Sequence, residues 1–114
     1  MKIILPWPPK ELSPNARLHW AEKAKLVKIW RKVGWTETNI SGVKITGTGM
    51  IDLHITFNPP DKRRRDMDNM LSSAKSLLDG VADALGVNDG RFQLHLLVGE
   101  VVKKGRIVID IMEV

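Results

Sequence analysis

The sequence predicts an α+β fold: one small domain, residues 1–114, with a mostly antiparallel mixed sheet and two main helices. Three observations carry this. Apolar residues recur at helical spacing over about Leu18–Thr36 and again over about Asn69–Leu85, whereas Met50–Phe57 alternates as a half-buried strand does. A chain of 114 residues is also too short for two independent cores.

The elements follow in order. Met1–Leu5 reads as a short strand, closed by Pro6-Trp7-Pro8-Pro9 because proline cannot donate to a ladder. Polar residues Lys10–Arg17 lead into the first helix. On its wheel Trp20, Ala24, Leu26, Val27, Ile29, Trp30 and Val33 make a wide apolar arc, and Lys25, Lys28 and Lys32 fall opposite. Trp20 and Trp30 are therefore expected in the core, with Trp7 packing the proline turn. Asn39–Gly49 is rich in Gly, Thr and Ser and reads as a loop or hairpin, with Val43 and Ile45 suited to a short strand. In Met50–Phe57, Leu53, Ile55 and Phe57 share one face and Asp52, His54 and Thr56 the other; Asn58-Pro59-Pro60 ends the run. The second helix buries Met70, Ala74, Leu77, Leu78, Val81 and Leu85, and Gly86 suits the left-handed position that ends it. Gln93–Val102 and Arg106–Val114 read as an antiparallel hairpin turned at Lys103-Lys104-Gly105, giving the order βα(β)βαββ.

Composition narrows the function classes. With 43% hydrophobic and 27% charged residues the chain is globular rather than disordered. Zero cysteines exclude disulfides, thiolate zinc sites, iron–sulfur clusters and a cysteine nucleophile. No apolar run has the length of an export signal or a membrane span, so a complete, cytoplasmic protein is expected. The net charge of +5 is uneven: residues 1–48 carry +6, while the remainder carries −1 yet holds the densest basic run, Lys62-Arg63-Arg64-Arg65. Basic surface beside carboxylates suits an anionic polymer.

The most informative segment is Arg63-Arg64-Arg65-Asp66-Met67-Asp68-Asn69. Asp68 suits a helix N-cap, but capping needs neither Asp66 nor three guanidinium groups. Two carboxylates two residues apart can face one hard cation through oxygen, and arginines can grip neighbouring phosphates bidentately. A further carboxylate, Asp89, lies in Gly86-Val87-Asn88-Asp89-Gly90-Arg91, where Asp-Gly is also a turn dipeptide.

Together, Leu5-Pro6-Trp7-Pro8-Pro9, the Arg-Arg-Arg-Asp-x-Asp-Asn run and the later Asn88-Asp89 resemble the RusA family of Holliday-junction resolvases, from Leu5 to about Phe92. These are small homodimeric, magnesium-dependent endonucleases, often prophage-encoded, that leave 5′-phosphate and 3′-hydroxyl ends. The resemblance implies Mg2+ (or Mn2+) held by Asp66, Asp68 and Asp89, a helical lysine near the metal, and phosphate contacts that include Arg65. The family's lysine stands four residues after the second aspartate, where this chain has Ser72. Lys75 lies three residues further and precedes Asp79 by four, as in a Lys-x-x-x-Asp pattern of the family. This reads as a three-residue insertion just after Asn69, absorbed before or within the first turn. Lys75 would then lean back toward Asp68 and stabilise developing charge; otherwise it pairs with Asp79.

Helix length supplies an independent expectation. An unbroken Asn69–Leu85 helix spans about 25 Å, whereas Gly86–Asp89 extends only about 14 Å. Asp89 then cannot return to Asp66 and Asp68 of its own chain. Either the helix breaks near Asp79-Gly80 or a twofold partner supplies the third carboxylate.

Lesser candidates complete the reading. His19, His54 and His95 look too scattered for a metal cluster; Asn15, Arg17 and His19 suit phosphate or branch-point contacts. The expected DNA-binding set is Arg63, Arg64, Arg65, Asn69, Asn15, Arg17, Lys25, Lys28 and Lys32, acting on branched DNA in the nucleoid. The expected function is Mg2+-dependent resolution of four-way junctions in recombination and repair. The competing expectation is a DNA-binding module without catalysis, its acidic motif kept as helix caps.

Overall fold

The computed structural model describes residues 1–114. Strand β1 (Lys2–Pro6) buries Ile3 and Leu5 on one face and exposes Lys2 and Ile4 on the other. Helix α1 (Trp20–Ser41) is capped by His19, whose Nδ1 accepts the Ala21 N–H, and ends at Gly42 with φ 73°. Strand β2 (Ile51–Asn58) alternates as expected, burying Ile51, Leu53, Ile55 and Phe57. Helix α2 (Met67–Leu85) follows and ends at Gly86 in the left-handed conformation, φ 69°. Strands β3 (Phe92–Val98) and β4 (Arg106–Glu113) complete the chain.

The four strands form one mixed sheet in the order β1-β4-β2-β3. Strand β4 is antiparallel to both β1 and β2, and β3 is parallel to β2. The α+β class therefore holds, with two main helices and antiparallel pairing predominant. The hairpin expected between Gln93–Val102 and Arg106–Val114 does not form. Burial explains why: Ile107, Ile109 and Ile111 are at most 1% exposed and take a central position, whereas Leu94 and Val98 of β3 are 42% and 51% exposed at an edge. Helix α2 instead serves as the crossover from β2 to its parallel neighbour.

One face of the sheet carries the core. Its Ile, Leu and Phe side chains meet Met70, Ala74, Leu77, Leu78 and Val81 of α2, which is the stripe expected from the sequence. Helix α1 behaves differently. It runs past Thr36 to Ser41 because Thr38 and Asn39 donate back to the carbonyls of Gly34 and Trp35, so residues that favour loops close their own helical turn. Val43 then packs on the core from a loop and forms no strand. The wide apolar arc of α1 is not buried: Trp20 is 77% exposed, contrary to the core position expected for it, and Ile29 is also exposed. Trp30 and Val33 pack against the core, but only Gly34 and Thr38 are fully buried. No helix is long and apolar enough to cross a membrane.

The narrow contact of α1 has a steric cause. A Cβ on Gly80 would collide with the Arg31 carbonyl, and one on Gly34 with the Leu77 carbonyl, so the two backbones touch where each helix has glycine. Gly80 thus brings α1 close without breaking α2. Gly80→Ala should lower stability in urea unfolding by about 1–3 kcal/mol; a wild-type midpoint would contradict this crossing.

Candidate nucleic-acid and metal site

Residues 58–66 carry the chain from β2 to α2, and their hydrogen bonds decide which arginines stay free. Asn58 is buried, donating to the Glu100 carbonyl (2.9 Å) and accepting from Arg106 Nε (3.3 Å). Asp61 accepts the Arg63 N–H and, at 2.9 Å, an N–H of the Arg65 guanidinium. Arg65 also donates to the carbonyls of Asp61 and Arg63 and lies 5.6 Å from the centre of the Trp7 ring. Trp7 in turn meets Phe57 edge-on at 6.2 Å and so packs against the core. The donors of Arg65 are thus spent on the loop, while Arg63 and Arg64 are exposed and enter no ion pair.

Helix α2 begins at Met67, two residues earlier than expected. Asp66 rather than Asp68 holds the N-cap position, with φ −86° and ψ 138°, and its side chain makes no capping bond. Asp68 sits in the first turn. Both carboxylates are exposed and neither joins an ion pair; the positive end of the helix favours their charge. Asp66, Asn69, Arg63 and Arg64 line a cleft of about 930 Å³ together with Trp7, Lys10 and Asn15. Arg17 borders a smaller hollow alongside Lys10 and Asn15. Lys25, Lys28 and Lys32 are exposed on α1, as their stripe predicts.

Lys75 does not lean back toward Asp68. Its ammonium donates to Asp79 at 2.6 Å and to Asp89 at 3.2 Å. These bonds, the one to Asp79 foremost, hold the lysine pKa above its ordinary value. The helix is continuous from Met67, so Lys75 lies about 10 Å along the axis from Asp68. Seven residues are close to two turns, so Asp68 and Lys75 share one helix face.

Asp89 starts a short 3-10 turn, where the Asn88 side chain accepts the Gly90 N–H. The chain thus returns to the level of Lys75 and no further. Asp66, Asp68 and Asp89 do not bring three ligand atoms within 4.8 Å of one another in one chain. Beside this stripe Arg31 grips Asp83 through two bonds, at 2.6 and 2.9 Å; the pairing lowers the pKa of Asp83 and raises that of Arg31.

A cluster that the sequence hides lies across the sheet. His54 and His95 are partners on β2 and β3, their rings stacked at 4.4 Å and 10°, and His95 Nε2 is 3.3 Å from Asp52. The expectation that the histidines are scattered fails for these two. The assumed β3–β4 hairpin conceals them, because only the parallel pairing sets them side by side.

Asp66 and Asp68 fit the Mg2+ that the resemblance implies in one respect of this structure: both offer hard oxygen donors committed to no cap and no ion pair. No protein-family model matches the chain. It is 43% identical over 118 aligned positions to an uncharacterized protein of Xylella fastidiosa (strain Temecula1 / ATCC 700964), an alignment covering 96% of this chain and 74% of that protein. The chain belongs to the same family as that bacterial protein.

The loop makes a pH prediction. The Arg63 N–H first, and Arg65 second, hold the Asp61 carboxyl below its ordinary 3.8. A lowered carboxyl pKa contributes order that is present above the unfolded value and fades as pH falls through the folded one. A carbon-13 NMR titration should place the Asp61 midpoint below 3.8. Arg65→Ala should move it part of the way back; an unchanged midpoint would mean that the side-chain clamp is not formed.

Proposed function

We propose that this protein is a Mg2+-dependent, structure-selective DNA endonuclease that resolves four-way junctions as a homodimer. The observation that carries the reading is the unpaired carboxylate of Asp66 in one cleft with the free Arg63 and Arg64, followed by the equally unpaired Asp68 in the first turn of α2. The helix N-terminus favours both carboxylates, but stability calls neither for a cap-position side chain that makes no capping bond nor for two unpaired arginines beside it. Against phosphate each has a use.

In this reading Arg63, Arg64, Lys10 and Asn69 orient a phosphodiester along the cleft. Lys25, Lys28 and Lys32 add backbone affinity from α1. Asp66 and Asp68 would hold Mg2+, which when bound polarises the phosphodiester and lowers the pKa of a water. Asp89 joins them from the partner chain. It carries Lys75 with it, so the lysine acts on the partner's Asp66 and Asp68 rather than its own. Two composite sites per dimer suit paired cuts in a twofold junction.

A second reading, a DNA-binding module without catalysis, is favoured by Lys75 lying on Asp79 and Asp89 instead of on Asp68. The two readings share affinity and differ in cleavage. A synthetic four-way junction should be cut with Mg2+ and left intact without it, and Asp68→Asn should bind the junction normally while losing cleavage by at least about 100-fold. Full cutting by D68N overturns the metal assignment; binding without cutting by the wild type selects the second reading. Junction affinity should also fall steeply with salt, and replacing Lys25, Lys28 and Lys32 by alanine, six lysines in the dimer, should reduce the log–log slope by about 5.

A further inference from the structure

The open face of the sheet carries one polar row that crosses all four strands. Lys2 on β1 pairs in register with Asp110 on β4, Asp110 with His54 on β2, and His54 with His95 on β3. In-register neighbours project to the same face, so these four side chains stand in line away from the helices. Asp52, two residues before His54, projects beside them. Ile4 and Leu97 on the same face are 51% and 62% exposed, so no other part of the chain covers it.

We propose that Asp52, His54 and His95 form a binding site for a borderline divalent cation such as Zn2+, separate from the carboxylates at the start of α2. The ligand atoms of these three residues all lie within 4.8 Å of one another, and no other group of three His, Asp or Glu residues does so. Zinc takes nitrogen and carboxylate oxygen at about 2.0–2.2 Å, which sets the edge of its tetrahedron near 3.3 Å. His95 Nε2 and Asp52 Oδ1 already stand 3.3 Å apart.

Only the imidazoles need adjustment. Their rings are parallel at 10°, so their in-plane lone pairs do not converge. Rotation about χ2, a soft torsion, splays them toward a common point, and both rings are exposed enough to turn.

The donor set argues for the metal's identity. Two imidazoles and one carboxylate suit Zn2+, and also Ni2+ or Co2+, better than Mg2+, which asks for six oxygens. Asp110, held by Lys2 at 3.9 Å, sits on the other side of His54 and can orient its ring.

The ligands also reveal what binding would do. Asp52 and His54 belong to β2, whose inner face is fully buried, whereas His95 belongs to β3, a half-covered edge strand joined to the sheet along one side only. A metal across them pins the least protected strand to the best protected one. Three protein ligands leave a fourth position on the open face for water.

Equilibrium dialysis against Zn2+ should give one tightly held ion per chain. His54→Ala and His95→Ala should each weaken binding at least tenfold, whereas the double variant Asp66→Asn/Asp68→Asn should bind as the wild type does. Proton NMR of the unmodified protein gives a test that needs no variant: substoichiometric Zn2+ should shift the ring signals of His54 and His95 and leave His19 in place. Amide exchange in β3 should slow at the same time. No zinc uptake, zinc lost from the D66N/D68N variant instead, or equal shifts at all three histidines would overturn the site.

Discussion

Helix α2 is buried along one stripe, Met70, Ala74, Leu77, Leu78 and Val81, and that burial determines where its remaining side chains point. The helix also runs unbroken for 19 residues, because Gly80 admits the backbone of α1 instead of interrupting the rod. Asp68, Ser72, Lys75 and Asp79 are therefore set along one exposed line, spaced at the helical repeat. Where the carboxylates sit, what the lysine touches and how far Asp89 can return all follow from this straight, anchored element.

The charges around α2 divide into spent and unspent groups. Arg65 is consumed by Asp61 and the loop carbonyls, Arg31 by Asp83, and Lys75 by Asp79 and Asp89. Arg63, Arg64, Asp66 and Asp68 have no such partner within the chain. The loop clamp and the free arginines are parts of one design: fixing the third guanidinium turns the other two outward. Three of these, Arg63, Arg64 and Asp66, line one cleft, and unspent charge of both signs there suits a ligand that brings phosphate, as the proposed function requires.

Strong periodicity made much of this legible in the sequence. The stripe of α2, the alternation of β2 and the glycine stop at Gly86 are local patterns, and each appears in the fold, whereas Pro6, expected to close β1, is its last paired residue. Two kinds of feature were not legible. Long-range pairing was one: β3 and β4 are adjacent in sequence, yet β4 enters the sheet between β1 and β2, and this alone brings His54 to His95. The contact surface of α1 was the other, since its wheel shows a wide apolar arc while two glycine contacts decide what is buried. The acidic residues were identified individually, but the cap position falls on Asp66 instead of Asp68 and neither side chain caps the helix. The i,i+4 spacing did offer the pairing of Lys75 with Asp79, which forms; the second contact, to Asp89, depends on the return of the chain after α2 and has no local signal.

In the proposed dimer Asp66 and Asp68 of one chain share a site with Asp89 of the other. Subunit mixing distinguishes this shared site from one built within a single chain. Asp68→Asn and Asp89→Asn homodimers should each fail to cut a four-way junction. Mixed and re-equilibrated, they should form heterodimers in which one site carries both substitutions and the other carries neither, so Mg2+-dependent nicking of one strand should return. If every site is built from a single chain, each still holds one substitution and no nicking appears, which would contradict the composite site.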